Sequence, residues 1–112
     1  MSNQNLNASQ EALQLFNDAV TLAWVERKPF DAIETLQRAI QLDPNFSAAI
    51  LEIARICYAQ LPDKIELALA AVSSFLEKEP ESIQGLRVYA NIQLRSRNFE
   101  SAEQTYRAFN RT

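Results

Sequence analysis

The sequence predicts an all-α fold, a solenoid (α-α superhelix) of three antiparallel helical hairpins with about six helices. Apolar residues recur at helical spacing along most of the chain, most clearly from Phe30 to Pro44. The pattern Ala32, Leu36, Ala39 and Pro44 returns 36 residues later, and its first three positions return after a further 34 residues. No stretch alternates as a strand does, and the chain contains a single glycine. Repetition at this period is typical of arrays of helical hairpins.

The first hairpin follows a polar start. Residues 1–7 are rich in Asn and Gln and are interpreted as a flexible tail, with Asn7 or Ser9 capping the first helix at about 8–27. The apolar face of that helix consists of Leu13, Phe16, Ala19, Val20 and Ala23. Pro29 suits the first position of the second helix, where its missing N–H costs nothing. The Phe30–Pro44 stretch is therefore the second helix of the first hairpin.

The second and third hairpins repeat this design, each with a first (A) and a second (B) helix. We expect helices at about 46–60, 64–78 and 81–96. The last helix is predicted from the apolar spacing of Phe99, Ala102, Tyr106 and Phe109. The second repeat is two residues longer than the first, and we place the extra residues in the turn at Leu61–Asp63, where insertions disturb no packing.

Five rows of equivalent positions run through the three repeats. They are Phe16, Ile50 and Leu86; Val20, Ala54 and Ala90; Ala32, Ala68 and Ala102; Leu36, Val72 and Tyr106; and Ala39, Phe75 and Phe109. Pro44 and Pro80 each close a unit. These rows resemble the tetratricopeptide repeat (TPR), a helical hairpin of about 34 residues. The resemblance implies a single TPR-like domain over residues 8–112, with repeats at about 13–46, 47–82 and 83–112.

Three residues depart from the TPR pattern. Val20 is large for a position where the family has a small residue, and Phe75 and Phe109 stand where it prefers alanine. We expect these side chains to push neighbouring helices apart. Phe30 falls one residue away from the family's turn aromatic, which predicts a distorted first unit.

The composition argues against an enzyme. The chain has no histidine, one cysteine and one glycine, which excludes His-activated nucleophiles, thiolate zinc sites and Gly-rich phosphate loops. Glu77, Glu79 and Glu81 flank Pro80 and are interpreted as a solvated acidic turn. Cys57 lies on the packing face of its helix, which favours a buried small hydrophobe over a reactive thiol. We expect no catalytic residue, no metal and no cofactor.

Charge and cysteine content indicate the setting of the protein. The net charge is −3, and the five basic residues of 84–112 are too few to predict nucleic-acid binding. No apolar run approaches the roughly 18 residues of a membrane span. A lone cysteine forms no intramolecular disulfide, and residues 1–10 lack the basic and apolar segments of a signal peptide. The sequence therefore predicts a cytoplasmic protein with neither nucleic acid nor membrane as its partner.

TPR resemblance implies a concave groove on the A helices that binds an extended peptide or a partner protein. The groove residues predicted on this basis are Asn17, Thr21, Trp24, Leu51, Arg55, Tyr58, Arg87, Asn91, Leu94 and Arg95. Trp24, Tyr58 and Leu94 fall in equivalent places and form an apolar row. Arginine binds carboxylates bidentately, so the hypothesis is an acidic or C-terminal peptide with hydrophobic anchors. The alternative is that the arginines form a solvated face and Trp24 packs against the N-terminal tail.

Two further readings concern the partner. TPR domains that bind the tails of heat-shock chaperones use a carboxylate clamp, and the matching positions here, Asn17, Thr21, Glu52, Gln84 and Val88, do not carry it. The alternative to peptide binding is a self-assembling scaffold, or an N-terminal TPR piece of a longer chain. In that reading an apolar C-terminal face of Phe99, Tyr106 and Phe109 forms a homo-oligomer.

Overall fold

The computed structural model describes residues 4–96 and residues 105, 107 and 108, with side chains from Ala8 onward. This part of the chain forms helices and contains no strand, so the prediction of an all-α fold is confirmed. Residues 4–96 form five α-helices, namely α1 (Gln4–Trp24), α2 (Pro29–Leu42), α3 (Ser47–Gln60), α4 (Ile65–Lys78) and α5 (Ile83–Arg95). A single turn of 3₁₀ helix, Pro62–Lys64, connects α3 to α4.

Each helix packs against the next one in the chain, and α3 also contacts α5. This order is consistent with a helical-repeat arrangement. Thr105 is helical and buried, and its hydroxyl donates a hydrogen bond to the Gln93 side chain on α5 at 3.1 Å. The rest of the predicted last helix, including Phe99, Tyr106 and Phe109, lies outside the described residues.

The start of α1 differs from the prediction. The helix already begins at Gln4, so a start near residue 8 and a cap at Asn7 or Ser9 are wrong. No proline or glycine occurs in this stretch to stop the helix from extending towards the N-terminus. Pro29 is the first residue of α2, as its fixed φ predicts.

The two extra residues of the second repeat lie in α3 and not in the turn. The connections 25–28 and 61–64 have equal length, whereas α3 extends two residues further past Ala54 than α1 extends past Val20. α1 ends earlier because Arg27 turns the chain with a φ of 59°. The expected insertion at Leu61–Asp63 is therefore wrong.

The repeated rows form the core. Ala32, Leu36, Ala54, Ala68 and Val72 are completely buried. They belong to one cluster that runs from α1 to α5 and includes the aromatic ring of Phe75. Burial of these rows accounts for the amphipathic pattern that the sequence displays.

Phe75 is accommodated by a glycine and not by separation of the helices. A Cβ atom on Gly85 would lie 2.6 Å from Phe75 Cε2 and 2.9 Å from Leu76 Cδ2. The backbone of α5 therefore lies directly against the Phe75 ring on α4. The expectation that Phe75 forces its neighbours apart is wrong, because the chain's only glycine lies opposite it.

Arg27→Gly is expected to stabilise the protein by about 0.5–1 kcal/mol. A left-handed backbone conformation costs a residue with a Cβ about 1–2 kcal/mol, and glycine removes this cost. Part of the stabilisation is lost again, because glycine raises the conformational entropy of the unfolded chain. Arg27→Ala, which removes the charge and keeps the strain, is the control. Thermal unfolding should show a higher Tm for the glycine variant alone; equal Tm values for the two variants would contradict the strain.

Candidate ligand-binding cleft

A cleft of about 400 Å³ opens between α3 and α5, next to the end of α1. We call it the arginine cleft, and it is lined by Trp24, Arg55, Tyr58, Ala59, Gln84, Arg87, Val88 and Asn91. Among the side chains that the structure describes, two cationic ones line it and no acidic one does. The lining therefore favours an anionic group beside an apolar one.

Five of the predicted groove residues meet in this cleft: Trp24, Arg55, Tyr58, Arg87 and Asn91. The lining residues Gln84 and Val88 were not among the predicted groove residues. A signal for them was present, because both occupy positions of the chaperone-type clamp on the third A helix.

The other predicted residues lie elsewhere. Asn17 and Thr21 are exposed on α1 and line neither this cleft nor its neighbour. Leu51 is 5% exposed; it belongs to the core and its edge lines the neighbouring cleft. Leu94 is 37% exposed and lies beyond the cleft, so Trp24 and Tyr58 line the cleft without it.

Leu94 lies outside the cleft although the next residue, Arg95, contacts the Tyr58 ring. On α3 the lining residues follow Ala54, whereas on α5 three of the four precede the equivalent Ala90. The cleft therefore lies mainly along the first half of α5, and the end of that helix contacts Tyr58 through Arg95.

Trp24 is held by a buried carboxylate. Its indole Nε1–H donates a hydrogen bond to Glu52 at 2.6 Å, and Glu52 is only 8% exposed. The Gln60 side chain donates to the carbonyl of Ala23 at 2.7 Å. These two bonds join the end of α1 to α3 and fix the half-buried indole ring at the cleft.

Arg95 positions Tyr58 instead of lining the cleft. Its guanidinium carbon lies 4.2 Å from the centre of the Tyr58 ring, and Nη1 donates to the Tyr58 carbonyl at 2.6 Å. A cation over an aromatic face is attractive. The pair joins the end of α5 to α3 and thereby helps to set the width of the cleft.

Arg55 is exposed, and its guanidinium makes no hydrogen bond or ion pair with any described residue. The one ion pair among the described side chains joins Lys28 to Glu26 at 3.5 Å in the α1–α2 turn. The donors of Arg55 are thus available to a ligand, whose carboxylate is the group they fit best.

A second cleft of about 320 Å³ lies beside the first. We call it the apolar cleft, and its lining residues are Phe16, Ser47, Ala48, Leu51, Glu52, Arg55, Phe75, Glu79, Ser82 and Gln84. Arg55 and Gln84 line both clefts. Of its two acidic residues, Glu52 is buried and accepts the hydrogen bond from Trp24, and Glu79 is exposed.

Neither cleft contains Cys57. The thiol is completely buried, and desolvation raises its pKa while the charge of Lys64 acts in the opposite direction. A protonated, inaccessible thiol is a poor nucleophile. Among the described residues no group of three or more Cys, Asp or Glu side chains could hold a metal ion, and no helix is long and apolar enough to span a membrane.

No protein-family model matches the sequence, and no curated protein is significantly similar to it.

Proposed function

We propose that the protein is a TPR-like, non-catalytic cytoplasmic module that binds a peptide or a partner protein along its A helices. The observation that carries the proposal is the arginine cleft, where five residues predicted as ligand contacts lie together and no described acidic side chain is among the lining residues. Its lining suits an acidic or C-terminal peptide with a hydrophobic anchor.

The TPR-like part of the proposal is supported by the rows of the repeat and the order of helix packing. Val72 is buried at the position equivalent to Leu36, and Ala68 at the position equivalent to Ala32. Hairpins α1–α2 and α3–α4 pack through α2 and α3. Stacked hairpins that bury equivalent rows are the defining property of such solenoids.

Each type of lining residue has a part in the proposed binding. Arg55 and Arg87 provide forked donors for a carboxylate. The Asn91 amide offers a donor and an acceptor for a peptide backbone. Trp24 and Tyr58 supply rigid aromatic surface against which an anchor side chain can be buried.

Arg55→Ala combined with Arg87→Ala is expected to weaken binding of acidic peptides by at least about tenfold, since hydrogen bonds to charged groups contribute about 1.5–3 kcal/mol each. Both residues are exposed, so Tm should change by less than about 3 °C. The measurement is selection from a random hexapeptide library on the immobilised protein, followed by titration of the enriched sequences.

Arg38→Ala combined with Lys78→Ala is the matched control. It removes the same charge from exposed positions on α2 and α4, away from both clefts. We expect this control to retain the affinity of the unaltered protein. Enriched peptides without an excess of Asp or Glu, or equal losses in the two double variants, would refute the proposal.

A further inference from the structure

The arginine cleft and the apolar cleft adjoin along one helix. Arg55 and Gln84 belong to both linings, one from α3 and one from α5. Along α3 the two linings extend from Ser47 to Ala59. At 1.5 Å per residue this is a length of about 18 Å, which corresponds to about five residues of extended peptide.

The two halves of this surface differ in chemistry. The half near Tyr58 is lined by the guanidinium groups of Arg55 and Arg87, and no carboxylate lies among its described lining residues. The half near Ser47 has the apolar side chains of Phe16, Leu51 and Phe75. Its one exposed carboxylate belongs to Glu79, because Glu52 is buried against the Trp24 indole.

We propose that the two clefts form one groove for an extended peptide segment of about five or six residues with segregated chemistry. Acidic side chains or a terminal carboxylate bind at the Arg55–Arg87 end, and apolar side chains, followed by a basic one, bind at the Leu51–Glu79 end. This inference rests on the proposed function and adds to it the length and the order of the ligand. The groove is positively charged at one end and negatively charged at the other. This arrangement stabilises one orientation of such a segment and disfavours the reversed orientation.

Peptides of identical composition test the order. The probes are fluorescein-labelled hexapeptides with blocked termini: Glu-Glu-Ser-Leu-Phe-Lys, its reverse, and the mixed Leu-Glu-Lys-Ser-Glu-Phe. In anisotropy titrations of the full chain, one of the two segregated peptides is expected to bind at least about tenfold more tightly than the mixed one. Equal affinity of all three would overturn the segregated order.

Three alanine-to-glutamine variants test whether the two clefts act as one groove. Ala48 lines the apolar cleft, Ala59 lines the arginine cleft, and Ala70 lines neither; all three are exposed on helices. Ala48→Gln and Ala59→Gln should both weaken the better segregated hexapeptide about fivefold or more, and Ala70→Gln should leave it unchanged. A blocked Glu-Glu-Ser peptide should respond to Ala59→Gln alone.

The possible failures are distinguishable. If both peptides respond only to Ala59→Gln, the ligand is confined to the arginine cleft; the extended groove is then wrong and the proposed function stands. If no acidic peptide binds the unaltered protein, the proposed function and this inference both fall. Circular dichroism of the three variants, whose substitutions lie at exposed helical positions, checks that each one is folded.

Discussion

Phe75→Ala and Gly85→Ala are each expected to destabilise the protein, and the double variant is expected to be more stable than the sum of the two predicts. Gly85→Ala places a methyl group where the Phe75 ring already lies, 2.6 Å from Cε2. Overpacking of this kind costs about 1–3 kcal/mol. Phe75→Ala empties a site that is 5% exposed, at a cost of about 3–5 kcal/mol. In the double variant the new methyl group enters the vacated space.

Urea unfolding of the four proteins measures this coupling as a double-mutant cycle. We expect the two substitutions to compensate for each other by about 1–3 kcal/mol. Ala70→Gly, at an exposed position of α4, is the control. It measures how much an alanine-to-glycine exchange changes the free energy of unfolding at a helical position where no side chain packs against it. Additivity within about 0.5 kcal/mol would contradict the close approach of Gly85 to Phe75.

Leu36→Ala is expected to cost about 2–5 kcal/mol of unfolding free energy. Leu36 is completely buried in α2, within the cluster that joins the first two hairpins. The alanine variant loses the transfer free energy of the side chain and leaves a cavity that rigid helices fill only in part.

Leu42→Ala on the same helix is the matched control. Leu42 is 39% exposed, so we expect a loss below about 1 kcal/mol from the same change of side chain. The midpoint of urea unfolding should fall clearly for Leu36→Ala and only slightly for Leu42→Ala. Similar midpoints for the two variants would show that the repeated leucine row is not the core.

The sequence was sufficient to predict most of the architecture. Helical periodicity located α3 and α4 to within one residue and α2 to within two, since these helices are bounded by proline-containing turns. The same periodicity identified Leu36 and Val72 as core positions. These features are local, and a single chain displays them.

Features that depend on two segments at once were harder to predict. Considered without its neighbours, Phe75 predicts that α4 and α5 are pushed apart. Only its position opposite Gly85 shows how closely the two helices approach each other. The left-handed φ of Arg27 was not predictable either, because an arginine side chain gives no indication of such a backbone conformation. The second repeat has two more residues than the first, and nothing in the sequence indicates whether α1 ends early or the turn after α3 is longer.

The sequence identified part of the candidate site and not which side chains meet there. Trp24, Arg55 and Arg87 are predicted contacts because they lie on the outer faces of the A helices. Aligned repeats imply that equivalent residues lie side by side, and on that basis Leu94 is expected beside Tyr58. The guanidinium of the next residue, Arg95, lies over the Tyr58 ring instead, and the cleft is lined mainly by the first half of α5. Such contacts depend on the crossing of packed helices, which repeat alignment does not contain.

The most direct test of ligand binding along the A helices uses the single tryptophan of the chain. Trp24 gives the only indole N–H signal in a ¹H–¹⁵N spectrum, and its donor is bonded to Glu52 at the edge of the arginine cleft. Titration with an acidic peptide selected on the protein should shift this signal together with the amides of Tyr58 and Arg87. The amides of Arg38 and Ala70, on the B helices, should stay in place. A peptide that binds while the indole signal remains fixed and the B-helix amides shift would contradict the account.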